Sequence, residues 1–176
     1  MSASSFVSYS FLGHTFYVNP GWLAELSSFF ATMFFLNNAG EDIILSDEVK
    51  YENFLELLRV LCYCPTRKPI TVTNVITVLK MAHYFGFKAL VEECEKVITE
   101  KVINLDKIKL FQITCAMAEH DRYSPTTTLL IDKLSKMKQN ELASLHFSKV
   151  MSHSYSEFDF SHQMRVACSD STSFAI

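Results

Sequence analysis

The sequence lacks any apolar run approaching the ~20 residues needed to cross a bilayer as a helix. It also lacks a secretory pattern: Met1-Ser2-Ala3-Ser4-Ser5 carries no basic residue, and no signal-type segment comes after it. No Asn-x-Ser/Thr acceptor is present. These absences predict a chain of the cytoplasm or nucleus, with no membrane among its partners. Charge of one sign is scarce as well. The net charge is −3 over 176 residues, with acidic and basic residues interspersed. A phosphate backbone calls for a basic stripe, so nucleic acid is excluded as a partner. Cysteine is neither plentiful nor regularly spaced. The five are Cys62, Cys64, Cys94, Cys115 and Cys168, an odd number suited to free, buried thiols in a reducing compartment.

What is present is core material. Hydrophobic residues make up 49% of the chain and aromatics 13%, enough for one packed domain and too many for general disorder. Val7, Tyr9 and Phe11 alternate with serines at a period of two, the pattern of a half-buried strand. Gly13-His14 supplies a turn and Thr15–Val18 a second strand, so 6–18 reads as a hairpin. Asn19-Pro20 then reads as the N-cap and first residue of a helix.

From Trp22 to Phe34 the apolar residues recur at helical spacing. Leu23, Leu26, Phe30, Met33 and Phe34 share a face, and Ser27-Ser28 is placed to divide two short helices. Ile43-Ile44-Leu45 reads as a buried strand and Ile70-Thr71-Val72 as an edge strand. Helices are expected at 51–63, from Thr73 or Asn74 to Gly86, over 87–98, from Asn104 with Asp106 to about Glu119, over 125–138 behind Ser124-Pro125, and over 140–150. Beyond Met151 serine dominates and periodicity vanishes, which predicts a disordered tail over 151–176. Strands cluster at the front and helices come after them. The fold class is therefore α+β, a small β-sheet flanked by a cluster of α-helices.

These residues resemble the BTB/POZ domain. The resemblance is carried by Phe11-Leu12-Gly13-His14-Thr15-Phe16-Tyr17-Val18, followed by Leu23-Ala24-Glu25-Leu26-Ser27-Ser28-Phe29-Phe30-Ala31-Thr32-Met33-Phe34. Further on, Phe54–Tyr63, the set Leu79, Ala82, Tyr84 and Gly86, and Leu90–Glu95 are similar to the family's later helices. Asn19-Pro20-Gly21-Trp22 and Cys64-Pro65-Thr66-Arg67-Lys68-Pro69 resemble its expanded nematode branch. The match spans about 6–100, and 104–150 resembles the helical extension often found after the domain in cullin adaptors.

Several expectations come with the resemblance. The helix bearing Trp22, Leu23 and Leu26 becomes the centre of a homodimer. Phe35, Leu36, Ala39 and Glu41 become the cullin-facing residues. The function implied is that of a non-catalytic adaptor, a homodimeric BTB component of a cullin-3 RING ubiquitin ligase holding an unidentified protein substrate. The alternative is a BTB oligomerisation scaffold without a cullin. Relatives in that branch often carry a MATH domain ahead of the BTB domain, whereas this sequence opens almost directly on the first strand. The resemblance then implies a truncated paralogue, a competitor that blocks dimers, or an adaptor that uses its tail. Tyr17 and Asn19 provide little of the charge that corepressor-binding members use.

Chemistry has few footholds. Cys62-Tyr63-Cys64 is too tight for the usual structural-zinc spacing, and no cofactor motif is found. Cys115 and His120 are five apart on a helix, a poor spacing for a nucleophile and its base, with no orienting third group.

Overall fold

The computed structural model describes residues 7–11, 14–35, 49–62 and 67–138, with the backbone alone at 7–11 and 14–16. Two strands come first, β1 (Val7–Phe11) and β2 (His14–Val18). They pair antiparallel, from Val7 opposite Val18 to Phe11 opposite His14, which is the expected hairpin. The third strand expected at 43–45 lies outside the described residues. Ile70-Thr71-Val72 is not a strand, because the chain there bends toward a helix instead of pairing. Among the described residues the sheet has two strands, and the molecule is largely helical.

Asn19 opens α1 (Pro20–Leu26) by accepting a hydrogen bond from the Trp22 amide at 3.1 Å, and Pro20 supplies a fixed φ at the first helical position. Ser27 stops α1 in an extended conformation and starts α2 (Ser28–Phe35). Its hydroxyl is buried. It donates to the Phe85 carbonyl and accepts from the Phe30 amide at 3.2 Å. One serine therefore caps α2 and ties it to a turn 58 residues away.

That turn lies between α4 (Val75–Tyr84) and α5 (Lys88–Lys101). Gly86 has φ +69°, a conformation that suits glycine alone at low cost. The Gly86 amide donates to the His83 carbonyl at 3.2 Å and the Phe87 amide to the Ala82 carbonyl at 2.8 Å. The last carbonyls of α4 are thus satisfied, and Phe85 and Phe87 turn into the core. Phe85 stacks on Phe30 at 5.1 Å and meets Phe29 and Phe54 at 5.3 Å each. Phe54 comes from α3 (Tyr51–Leu61), whose Leu57 and Leu58 are also buried. This aromatic cluster joins α2, α3 and the α4–α5 turn.

Thr73 or Asn74 is expected from the sequence as the cap of α4; Asn74 holds the N-cap position, but its side chain is spent elsewhere. Its oxygen accepts from the Thr71 amide at 2.7 Å, and its nitrogen donates to Glu56 of α3 at 2.8 Å and to the Pro69 carbonyl at 3.2 Å. Lys68 closes the same clip with an ion pair to Glu56 at 2.7 Å. These bonds bend 67–74 onto α3, the physical reason the edge strand does not form.

After α5 come a 3₁₀ turn (Val102–Asn104), α6 (Lys107–His120) and α7 (Pro125–Ser135). Asp106 caps α6 by accepting from the Ile108 and Lys109 amides, both at 2.9 Å, and Ser124 caps α7 by accepting from the Thr127 amide at 3.1 Å. Helix α7 ends at Ser135, short of the expected 138. The helix expected at 140–150 and the tail 151–176 lie outside the described residues. Among the described residues no helix is long and apolar enough to cross a membrane.

Candidate interaction surface

Helices α1 and α2 are short, pack against one another, and carry no acidic residue in the first turn and no basic residue in the last. Their apolar residues divide between two destinations. Leu23 and Phe30 point inward, at 1% and 4% exposure. Leu26 remains 40% exposed and Phe35 69%. Trp22 is half-buried, resting against the edge of the core. The expected common face thus divides within α1, where Leu23 is buried and Leu26 is not, and Phe30 beyond the break at Ser27 is buried again. Of the three residues expected at the dimer centre, Leu23 is consumed by the protomer's own core, whereas Trp22 and Leu26, four apart on α1, keep accessible surface. Of the four cullin-facing candidates, Phe35 stands exposed at the end of α2, and Leu36, Ala39 and Glu41 lie outside the described residues.

A groove of about 350 Å³ lies between α3, the 67–70 segment and α5. Val60, Ile70 and Val97 line it, and its rim charges are already engaged: Arg67 with Glu93 at 3.9 Å, Lys68 with Glu56. A charged ligand would compete with these pairs.

The Cys94 and Cys115 thiols are poor nucleophiles. Burial, with Glu93 and Glu95 nearby, pushes Cys94 up to about 12; burial likewise pushes Cys115 up to about 12, and the Lys80 cation only partly opposes it. His120 does not address Cys115 as a base would. It stacks on His83, with ring centroids 4.3 Å apart. The sequence gives no hint of that contact, since the two residues stand far apart on different helices. Among the described residues, no three His, Cys, Asp or Glu groups converge as metal ligands.

The BTB/POZ domain family model matches residues 5–102, more than half of the chain. The chain belongs to the BTB/POZ family. Two curated relatives come from Caenorhabditis elegans. "Cytokinesis defective protein 7" is 41% identical over 143 residues, covering 77% of this chain and 54% of the relative. "BTB and MATH domain-containing protein 38" is 31% identical over 96 residues, covering 52% of this chain and 24% of the relative. The BTB chain therefore spans about half the length of the first and about a quarter of the second. The nematode resemblance read from the sequence stands. A BTB domain is a protein–protein interaction module, and such domains commonly dimerise. The exposed apolar positions of α1 and α2 fall inside the matched segment.

Proposed function

We propose that this chain is a homodimeric adaptor that joins a cullin-3 RING ubiquitin ligase to a protein substrate. The observation that carries the reading is the exposure of Leu26 and Phe35 at the far ends of two short helices in the family-matched segment. Large apolar side chains left outside a well-filled core suit burial against a partner. In this reading Trp22 and Leu26 pair with their own copies across a two-fold axis, with tryptophan as the anchor. Phe35, with Leu36, Ala39 and Glu41 after it, meets the cullin. The adaptor performs no chemistry. It raises the effective concentration of substrate near the ligase.

A second reading is a dimerising scaffold with no cullin contact. Ala39-Gly40-Glu41 favours it, since alanine offers little apolar anchorage.

Sedimentation and pull-down separate the two. Wild-type chain should sediment as a dimer, and the double variant Trp22→Glu/Leu26→Glu as a monomer. A wild type that is already monomeric removes the interface. Purified cullin-3 at micromolar concentration should retain the wild type and release Phe35→Asp. A dimer that fails to bind cullin-3 leaves the scaffold.

A further inference from the structure

The joint between the family-matched segment and the helices after it is unlike the rest of the interior. The match ends at residue 102, within the 3₁₀ turn, so α4 lies inside it and α6 beyond it. These two helices pack together, and at their contact the rings of His83 and His120 lie face to face, 4.3 Å apart and within 15° of parallel. Every element around this stack contributes a titratable or charged group. Helix α4 gives Lys80, which pairs with Glu119 of α6 at 4.0 Å. Helix α5 gives Glu95 and the α6–α7 turn gives Asp121, both acting on His83. Helix α6 also gives Cys115, beside Lys80 and Glu119.

We infer that the stacked His83–His120 pair makes the α4–α6 contact a pH-sensitive joint, which loosens α6 and α7 from the preceding helices on acidification while leaving those helices folded. Two neutral imidazoles stack favourably at this separation, whereas two imidazolium cations repel at close range, with Lys80 adding a third positive charge. A cationic His83 also draws on the carboxylates of Glu95 and Asp121. Glu95 accepts from the Thr126 hydroxyl at 3.1 Å, and the Asp121 carbonyl accepts from the Thr127 hydroxyl at 2.7 Å.

The direction of the effect comes from proton linkage. Partial burial, reinforced by His120, holds His83 below its ordinary value, even though Glu95 and Asp121 pull the other way. Partial burial and Lys80 hold His120 below its own. Each ring therefore binds a proton less readily folded than unfolded. The stabilisation is whole above the ordinary value of 6.5 and is lost as pH falls toward the folded values. Glu119, raised by partial burial against the pull of Lys80, works in the opposite sense. The Cys115 thiol, up at about 12, stays neutral throughout.

Amide hydrogen exchange of the full chain tests the joint, comparing about pH 7.5 with about pH 5.5 after correction for intrinsic exchange. Peptides from α6 and α7 should lose protection several-fold in acid, while those from α3 to α5 keep theirs. The double variant His83→Phe/His120→Phe, which retains a ring pair without titration, should abolish the response. Uniform loss across all helices, no loss at all, or an acid response that survives in the variant would each overturn the inference. Should that variant fail to fold, His120→Gln must weaken the response. In addition, nuclear magnetic resonance titration of the wild-type imidazoles must place both below the ordinary range; two rings titrating independently at 6.5 would equally overturn it.

Discussion

Helix α4 meets its neighbours through two contrasting contacts. At its C-terminal turn Phe85 enters a cluster of rings from α2 and α3, with Tyr84 edge-on to it at 4.8 Å. Toward α6, Lys80 and His83 face an imidazole and a carboxylate. The aromatic contact is set by shape and dryness, so solution conditions barely reach it. The histidine contact is set by charge state, so pH does. One helix thereby combines a permanent attachment to the segment before it with a conditional one to the segment after.

The largest way to break that contrast is to empty the aromatic side. Phe85→Ala should cost about 3–5 kcal/mol, the range for a buried phenylalanine truncated to alanine. Urea unfolding should show the same loss at about pH 7.5 and about pH 5.5; a strongly pH-dependent loss would mean that the two contacts are not separate.

A smaller effect is expected at the clip between α3 and α4. Asn74→Ala removes the partner of Thr71, Pro69 and Glu56 and should cost about 1–3 kcal/mol in the same assay. Glu56 gives this clip its own pH dependence. Burial alone would raise its carboxyl, but hydrogen bonds from Lys68 and Asn74 and the charges of Lys68 and Arg59 outweigh it, and the net shift is downward. Its contribution is therefore present above the ordinary value of 4.5 and lost as pH falls through the folded value, in a lower window than the histidines. Glu56→Gln should flatten the stability profile there and leave the histidine window unchanged.

The smallest effect belongs to the surface. Lys136 and Asp132 pair at 2.5 Å, four apart at the end of α7, with side chains 72% and 54% exposed. Lys136→Ala should change the unfolding midpoint by no more than the equivalent of about 0.5 kcal/mol, and less in high salt.

Local chemistry is legible in the sequence, and long-range chemistry is not. The hairpin, the caps at Asn19, Asp106 and Ser124, and the glycine at 86 announce themselves because each needs only neighbouring residues. Asn74 looks like one more cap, but the cap is a local option and a carboxylate 18 residues earlier claims the side chain. Periodicity places Leu26 beside Leu23 on one face; it does not show that the core takes Leu23 and leaves Leu26 outside. The same limit applies to the candidate surface. Trp22 and Phe35 are visible as apolar residues on helices, while their exposure depends on how α1 packs on α2 and α2 on Phe85. The histidine stack has no local signal at all, since neither residue breaks the pattern of its own helix.

Helix α7 makes two bonds that share one spacing, one to α5 and one to the 3₁₀ turn after it. Thr126 reaches Glu95, and the Lys133 ammonium donates to the Val102 carbonyl, each pair 31 residues apart. The two helices therefore run in the same sense, with α6 as the return between them. During synthesis α7 has nothing to align with until α5 is complete and α6 has turned the chain back. The later helices are thus assembled on a finished template, and damage to that template reaches them even where it touches none of their residues.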